Sequence, residues 1–468
     1  MPSDTRGVSN VLTWAADPAA DGALTVSERL RALQRSHHAM WNYVTYRDAI
    51  ALVGLDAEDL YPEGTTRLPR DWADLGWLTC FCGPPASAVE AMRAAVVSDA
   101  LDMYAPDLIE PLRDAAAAVL GRERDAGFEV VGTEGAQAGL ALALMASVDR
   151  GDEVILGDPG YFHLPPAVIA AGGRPVTVAL GPDTGFRLDP DRVAAAITPR
   201  TRAICLVDPV NPYGTAARRD EVEALARLAE RHGLLLVDDV THGALAIDPA
   251  SDLHPAVTLS DQAVATFSVS HCYGMAGARI GFLAGPRALM RGCLQLKAAL
   301  TRLNTNPISQ RGALAALRDE AYLASAQATI RANLAHLEET LADVDGVRLA
   351  AAPERGLACA LDVSGSGASA QEIMVALFAR RVAVYPGDGL GEQAAAATVR
   401  VNLSNPEPWV GEHVRAVLGE AVAEAASGRW RRPVAALLEG KGTERATRLA
   451  ARVRDGTLDR SPEEESVS

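Results

Sequence analysis

Several polar residues stand next to predicted strands, and their types and spacing suit the binding of a phosphate group. Gly135-Ala136-Gln137 opens a predicted helix directly after the apolar run at residues 128–131. A helix that begins with small residues offers free backbone amides and the positive end of its dipole to an anion. Later in the chain, the hydroxyls of Ser268 and Ser270 and the guanidinium of Arg279 can satisfy the remaining oxygens. Together these residues predict a phosphate-binding cup.

A second set of residues has the chemistry for proton transfer beside that cup. His271 follows Ser270 directly, and an imidazole with a pKa near neutrality both accepts and donates protons. Asp238 follows the apolar run at residues 234–237, at the end of a predicted strand. The chain has only two lysines, Lys297 and Lys441, and we expect both at the surface.

The segment from Ser268 to Gly281 resembles the cofactor-anchoring motif of class I/II aminotransferases, which reads S-x-S-K-x-x-G-x-x-G-x-R-x-G. In that family of fold type I enzymes, the motif lysine forms a Schiff base with pyridoxal phosphate (PLP). His271 stands at the lysine position, and an imidazole cannot form this bond. Asn211-Pro212-Tyr213-Gly214 resembles the N-P-[TQ]-G turn of the family. The resemblance covers about residues 78–425.

The resemblance implies roles for further residues, and the predicted cup would take the PLP phosphate. Asp238 would pair with the pyridinium nitrogen, and Asn211 would bond the ring 3-oxygen. Tyr161, in Asp158-Pro159-Gly160-Tyr161, would stack on the ring. Tyr104 would reach the phosphate of a neighbouring subunit, so a homodimer is expected. Arg400 would bind the carboxylate of an amino acid or keto acid substrate through a two-pronged ion pair.

The chain departs from the family pattern at two positions. His271 replaces the lysine, and Thr241 stands where we align the tyrosine of the D-E-x-Y motif. Both lost groups tune the covalently held cofactor, so their joint loss indicates a pocket that holds PLP or pyridoxamine phosphate (PMP) noncovalently. We therefore predict a PLP/PMP-dependent, aminotransferase-like enzyme of specialised biosynthesis, with His271 as general acid or base. Sugar dehydratases that depend on PMP look similar in carrying histidine at this site.

Three alternatives stay open on the sequence alone. Because the same cofactor supports elimination and decarboxylation, a lyase is one of them. A catalytically inactive binding or regulatory protein is another, although the retained Arg279 and Asp238 weigh against it. The third is a metal site without PLP, built from His242, His271, Asp238 and Asp239, which are suitable ligand types.

The elements that must position these residues alternate along the chain. Short apolar runs at residues 153–156, 203–207, 234–237 and 263–267 are separated by helical stretches, which is typical of a parallel sheet between helices. We predict an α/β protein of aminotransferase fold type I, with a mostly parallel central sheet flanked by helices and a smaller α+β domain. The predicted segments are an N-terminal extension and arm contributing to the small domain (1–84), a large PLP-binding domain (85–325), a small C-terminal domain (326–425) and a basic helical tail with a disordered acidic end (426–468).

Two of these segments carry more detailed predictions. In the N-terminal extension, Thr25-Val26-Ser27-Glu28 predicts a helix start. An aromatic cluster of Trp41, Tyr43 and Tyr46, near two histidines, is expected to pack on the small domain, with a lid or a dimer arm as the alternatives. In the small domain, the runs at residues 346–349, 357–361 and 399–402 predict strands.

The composition excludes several classes of partner. The 468 residues are 49% hydrophobic and 22% charged, which describes a globular protein with a large core. The net charge of −16 argues against a nucleic acid or an anionic membrane as a partner. No apolar run approaches the ~18 residues of a membrane span. The six cysteines lack metal-site spacing, so we expect reduced thiols and a cytoplasmic protein.

Overall fold

The computed structural model describes residues 27–35, 68–98, 103–125, 127–391, 397–440 and 444–456. The predicted aromatic cluster, Lys441 and the acidic C-terminal end lie outside these ranges. The predicted N-terminal helix is present as α1 (Glu28–Arg35), and the Ser27 hydroxyl accepts a hydrogen bond from the backbone N–H of Leu30 at 3.2 Å. This helix start is therefore confirmed.

Helices and short strands alternate through the described residues. The strands are β1 (Ala73–Asp74), β2 (Phe128–Thr133), β3 (Glu153–Asp158), β4 (Arg174–Ala179), β5 (Thr201–Val207), β6 (Leu235–Asp239), β7 (Ala263–Ser268), β8 (Gly281–Pro286), β9 (Arg348–Leu349), β10 (Ala358–Asp362), β11 (Val382–Ala383), β12 (Tyr385–Pro386) and β13 (Thr398–Asn402). The helices after α1 are α2 (Ala86–Ser98), α3 (Glu110–Val119), α4 (Ala136–Ser147), α5 (Leu164–Ala171), α6 (Pro190–Ala196), α7 (Arg219–His232), α8 (Arg287–Leu300), α9 (Pro307–Leu317), α10 (Glu320–Leu341), α11 (Ala370–Phe378), α12 (Pro408–Ser427), α13 (Arg431–Gly440) and α14 (Glu444–Asp455). None of these described helices has both the length and the apolar character needed to cross a membrane.

A seven-stranded sheet forms the centre of the larger lobe, in the order β2-β8-β7-β6-β5-β3-β4. Only β8 is antiparallel to its two neighbours, and the other strand pairs are parallel. The predicted mostly parallel sheet is therefore confirmed. Because parallel strands bring their carboxyl ends to one edge, the loops after β5, β6 and β7 meet there.

Helices cover both faces of the central sheet, and the side chains of each strand point alternately to one face and the other. In β5, Cys205 packs in the core under α4, whereas Leu206 points to the opposite face, which α7 covers. The same alternation places Val237 of β6 in the core under α4 and Leu236 in the core on the α7 side. Helices therefore flank the sheet, and the predicted α/β class is confirmed.

The smaller lobe contains an antiparallel sheet with the order β12-β13-β10-β9 and a parallel pair of β1 with β11. The predicted strands at residues 357–361 and 399–402 appear as β10 and β13. The predicted strand at residues 346–349 is reduced to the two residues of β9. Helix α10 crosses the predicted domain boundary between residues 325 and 326.

Candidate functional site

A cleft of about 590 Å³, its open mouth included, lies where β5, β6 and β7 end and α4 begins. Open α/β sheets bind ligands at this edge. All predicted site residues except Asp238, Tyr104 and Arg400 line this cleft. The lining consists of Gly135, Ala136, Gln137, Tyr161, Val207, Asn211, Asp239, Thr241, His242, Ser268, Ser270, His271, Ala276 and Arg279.

One end of the cleft is built to receive an anion. Gly135 precedes α4 with φ of 94°, a conformation that glycine adopts without strain. Arg279 arches over this turn, since a Cβ atom on Gly135 would come within 2.5 Å of its Nη2. Ser270 Oγ and Gln137 Oε1 are buried and have no hydrogen-bond partner among the described residues. Because buried polar atoms are ordinarily paired, the Ser270 hydroxyl is available to donate to an oxygen of a bound anion, whereas Gln137 Oε1 can only accept.

His271 is held at one ring nitrogen by the backbone. Its Nδ1 is hydrogen-bonded to the Leu78 carbonyl, and its own carbonyl accepts from Cys80 N–H at 3.2 Å. A carbonyl oxygen only accepts, so Nδ1 carries the proton and Nε2 keeps its lone pair. Burial lowers the pKa of His271 to about 4; the Leu78 bond opposes this shift, and the charge of Arg400 adds to it. The imidazole is therefore a neutral base at physiological pH.

A second histidine stands against the first. The ring centroids of His242 and His271 are 4.5 Å apart, and the ring planes are inclined by 50°. Burial lowers the pKa of His242 well below its usual range, and the nearby His271 and Arg400 lower it further. His242 Nδ1 is buried without a partner among the described residues. The sequence indicates His242 only as a possible metal ligand, and its place beside His271 appears only in the structure.

The acidic residue of the cleft is Asp239, and the prediction of Asp238 is wrong. The Asp238 side chain points to the same face of the sheet as Leu236, which is the face covered by α7. There its Oδ2 accepts from Ala256 N–H at 2.8 Å. The Asp239 side chain points to the same face as Val237 and lines the cleft. Burial raises the pKa of Asp239 to about 6, although two hydrogen bonds from Thr241 favour the charged form.

This correction also changes the second departure from the family pattern. Three positions after Asp239, as in D-E-x-Y, the chain has His242 rather than Thr241. Both residues line the cleft, but the Thr241 hydroxyl donates to the Asp239 carboxylate. Because two aspartates are adjacent, the D-E-x-Y motif can be aligned to start at Asp238 or at Asp239. The alternation of side chains along β6 selects Asp239. The alignment of Thr241 with the family tyrosine is therefore wrong.

Arg400 lies in β13 and is buried outside the cleft lining. Its Nη1 donates to Asn211 Oδ1 at 3.2 Å and its Nη2 to the Gly76 carbonyl at 2.9 Å. The guanidinium stands over the ring of Tyr385, 4.5 Å from the centroid. Burial lowers its pKa to about 10, so the group stays charged. Nε has no partner among the described residues, and the predicted binding of a substrate carboxylate stays a prediction.

Tyr104 lies away from the cleft of its own chain. Its side chain is 71% exposed, and the Arg302 guanidinium stands over its ring at 4.4 Å from the centroid. Met103, the preceding residue, is 69% exposed. The predicted contact of Tyr104 with a neighbouring subunit therefore stays a prediction, and the exposed ring is free to make it.

Lys297 is buried, so its predicted surface position is wrong. It is 1% exposed, and its Nζ bonds Asp107 Oδ1 at 2.6 Å and Thr305 Oγ1 at 3.0 Å. The paired carboxylate lets α8 bury a charged side chain on its inner face. Lys297 does not line the cleft, and Lys441 lies outside the described residues. The described part of the chain therefore brings no lysine amine to the site.

The described residues contain no cluster of side chains that supports the alternative of a metal site. Within the described ranges, no group of three or more His, Cys, Asp or Glu side chains has a geometry that could hold a metal ion. The two histidines and Asp239 line one cleft, while Asp238 lies behind the sheet. Such a set does not converge on one point.

Comparison with known sequences links this site to one enzyme family. The family described as aminotransferase class I and II matches residues 81–415. The arginine–pyruvate transaminase AruH of Pseudomonas aeruginosa is 35% identical over 275 residues, covering 57% of this chain and 68% of that protein. A probable aspartate/prephenate aminotransferase of Thermus aquaticus is 31% identical over 334 residues, covering 69% of this chain and 84% of that protein.

Solved structures show the same likeness. A crystal structure of an aminotransferase from Mycobacterium tuberculosis has a TM-score of 0.73 at 26% identity, covering 85% of this chain and 99% of that chain. Aspartate aminotransferase from Thermus thermophilus with maleate has a TM-score of 0.71 at 27% identity, covering 86% and 100%. The likeness extends over nearly the full length of both structures.

Proposed function

Because this chain belongs to the class I and II aminotransferase family, we propose that it binds PLP or PMP noncovalently and that His271 performs the proton transfers. Membership makes the protein a PLP-dependent transferase of the aminotransferase type, for which amino acids and keto acids are the class of substrate. The observation that carries the proposal is a cleft that combines an anion-binding end with Asp239, Tyr161 and Asn211, and in which a neutral imidazole stands at the position of the family lysine.

The anion-binding end of the cleft fits the phosphate of the cofactor. The backbone amides at the start of α4 would bind phosphate oxygens together with the Ser270 hydroxyl, whose oxygen is buried without a partner among the described residues. Arg279 already bonds the Glu134 carbonyl at 2.7 Å, and its charge would face the same anion. These residues would anchor the cofactor without a covalent bond.

The middle of the cleft fits the pyridine ring. Asp239, with a pKa of about 6, is ionised at neutral pH and would hold a proton on the ring nitrogen. Tyr161 and Asn211, which also line the cleft, would contact the ring face and the 3-oxygen. When bound, the ring acts as an electron sink for charge that develops on substrate carbon atoms.

His271 keeps one of the two functions of a family lysine. Its amine-free ring cannot anchor the cofactor, but Nε2 can take a proton from the substrate α-carbon and return one. Protonation of the ring below about pH 4 would abolish the base. Arg400, charged and bonded to Asn211, supports an acid substrate whose carboxylate would reach its unpaired Nε.

We also propose a homodimer and a cytoplasmic location. The exposed Tyr104, with the neighbouring Met103 at 69% and Leu303 at 41% exposure, forms an apolar surface of the kind that associates. A second copy placed there would bring Tyr104 to the partner's phosphate site. The six cysteines are all unpaired in the structure, which supports a reducing compartment.

Borohydride reduction of the PLP-loaded protein tests the absence of a covalent bond. The natural chain should bind PLP, as measured by absorbance after desalting, yet gain no pyridoxyl mass after reduction, because no lysine amine of the described residues lies in the cleft. The His271→Lys variant should gain one pyridoxyl group at position 271, located by peptide mass spectrometry. This variant is the positive control for reduction.

Two results would overturn the proposal. A stoichiometric pyridoxyl group on Lys297 or another amine of the natural chain would show a different anchoring residue. Failure of both the natural chain and His271→Lys to bind PLP would show that the cleft is not a cofactor site.

A further inference from the structure

The residues that hold His271 come from a segment far away in sequence. Residues 76–81, which we call the covering segment, run between β13 and His271. Its Leu78 carbonyl accepts from His271 Nδ1, and Cys80 N–H returns a bond to the His271 carbonyl at 3.2 Å. The hydrogen-bonding state of His271 therefore depends on where this segment lies.

Two buried side chains at the end of β13 fix the covering segment from the other side. Asn402 Nδ2 donates to the Trp77 carbonyl at 2.6 Å and to the Thr79 carbonyl at 2.8 Å. Ser404 Oγ accepts from Phe81 N–H at 3.0 Å. Because two carbonyls face Asn402 Nδ2, the orientation of the amide is unambiguous.

Asn402 and Ser404 are also bound to each other. Asn402 Oδ1 accepts from Ser404 N–H at 2.7 Å and lies 2.7 Å from Ser404 Oγ. Asn402 is 1% exposed and Ser404 is fully buried. Each hydrogen-bonding atom of the Asn402 amide is thus used, which gives the pair one preferred geometry.

The carbonyl that binds His271 lies between the two that bind Asn402. The Trp77 and Thr79 carbonyls are directed to Asn402, whereas that of Leu78 is directed to His271. We propose that Asn402 is a positioning residue, which sets the tautomer of His271 by fixing the Leu78 carbonyl. Ser404 assists Asn402 by accepting a hydrogen bond from Phe81 N–H at the end of the covering segment.

The fixed tautomer has a direct chemical consequence. With its proton committed to Leu78, His271 presents the Nε2 lone pair to the cleft and accepts a proton at that atom. The opposite tautomer would present an N–H group and could not act as a base there. This inference rests on the proposed role of His271, but the tautomer itself is a property of the protein without cofactor.

Nitrogen NMR of protein labelled with ¹⁵N-histidine tests the inference without PLP. At pH 7.5 the His271 signals, assigned by comparison with His271→Gln, should show a protonated Nδ1 and an unprotonated Nε2. Asn402→Ala should convert this pattern into a mixture of tautomers. Ser404→Ala removes the Ser404 Oγ bonds to Asn402 Oδ1, to the Thr79 carbonyl at 3.1 Å and to Phe81 N–H, but leaves the two Asn402 Nδ2 bonds in place. It should therefore shift the ratio less, and it provides a second variant if Asn402→Ala does not fold.

Asn333→Ala is the matched control. Asn333 also uses its Nδ2 for two carbonyls, those of Leu403 at 2.8 Å and Asn405 at 2.7 Å, and neither carbonyl belongs to the covering segment. This variant should retain the natural His271 pattern even if its thermal stability falls. With PLP added, Asn402→Ala should bind the cofactor as tightly as the natural protein and lose turnover of an amino acid.

The outcomes separate this inference from the proposed function. A natural protein with a protonated Nε2 at His271, or an unchanged tautomer in Asn402→Ala, would overturn the positioning role. An equal change in Asn333→Ala would also overturn it, because general loosening would then explain the effect. Absence of PLP binding, with the expected tautomer pattern, would instead remove only the proposed cofactor chemistry.

Discussion

The rings of His242 and His271 form a close pair in the cleft, with centroids 4.5 Å apart. Neither ring is protonated readily, because burial lowers both pKa values and the Arg400 charge lowers them further. Two charged imidazoles at this separation would repel each other strongly in a buried site. The pair therefore supplies uncharged imidazole at neutral pH, and this property leads to the first prediction.

The stability of the protein should fall as the pH is lowered from about 6.5 to 4. The pKa of His271 is about 4 in the folded chain, below its ordinary value, so the unfolded chain binds more protons in this window. Urea unfolding across this range should show a smaller fall for His271→Gln than for the natural protein. His232→Gln, at an exposed position of α7, is the control and should retain the natural dependence. Parallel stability curves for the natural protein and His271→Gln would contradict the prediction.

Substitution of the two adjacent aspartates should affect PLP binding differently. Asp239→Asn removes the carboxylate in the cleft and should weaken binding about 10- to 100-fold, because a charge-assisted hydrogen bond is lost. Asp238→Asn should retain the natural affinity, since this side chain faces Ala256 on the other side of the sheet. Titration with PLP, followed by absorbance, measures both. Stronger weakening by Asp238→Asn would restore the interpretation made from sequence.

Asp238→Asn should also make the stability of the protein less sensitive to a rise in pH. Burial raises the pKa of Asp238 well above its usual value, and Asp208 raises it further. A carboxyl group with a raised folded pKa stabilises the protein at low pH, and this contribution is lost as the pH rises through that pKa. The amide has no such titration and can still accept from Ala256 N–H. Unfolding measurements from pH 5 to 9 should therefore show a flatter curve for the variant than for the natural protein.

Two glycines of the loop around Arg279 provide a matched test of the anion-binding end. A Cβ atom on Gly281 would stand 2.6 Å from the Gly135 carbonyl carbon, so Gly281→Ala must displace the start of α4. We expect it to destabilise the fold by roughly 1–3 kcal/mol and to weaken PLP binding. A Cβ atom on Gly277 meets no described atom within 4 Å. Gly277→Ala should leave both quantities unchanged, and equal losses in the two variants would contradict the prediction.

Removal of Lys297 should destabilise the fold by about 1–3 kcal/mol, because Asp107 Oδ1 would lose its ion pair, whereas Oδ2 would keep Gly132 N–H at 3.1 Å and Arg113 at 3.5 Å. Lys297→Met retains much of the side-chain volume, and urea unfolding gives the free energy. Arg219→Ala is the control, since Arg219 pairs with Glu223 on the exposed surface of α7 at 2.9 Å. Such an exposed pair contributes no more than about 1 kcal/mol. A loss below 1 kcal/mol in Lys297→Met would contradict the stabilising role of the buried pair.

The sequence predicted the sheet and most of the cleft because local patterns determine both. Apolar runs define strands, and residues directly after parallel strands must meet at one edge, as Ser268, Ser270 and Asn211 do. The choice between Asp238 and Asp239 depended on which face of β6 points to α4, and two adjacent carboxylates give no local signal of this. The neighbours of His271 were also hidden, since the Leu78 bond joins positions 193 residues apart. The burial of Lys297 required knowledge of its partner Asp107, which lies 190 residues away.

The long sequence separation of these bonds has a consequence for biosynthesis of the protein. Asn402 fixes carbonyls that precede it by 323 and 325 residues, so the complete arrangement around His271 cannot form before the ribosome has released β13. A nascent chain, or a fragment ending within the central sheet, would carry the histidine without its oriented lone pair. Competence for proton abstraction thus requires that β13 has been synthesised and paired with the covering segment.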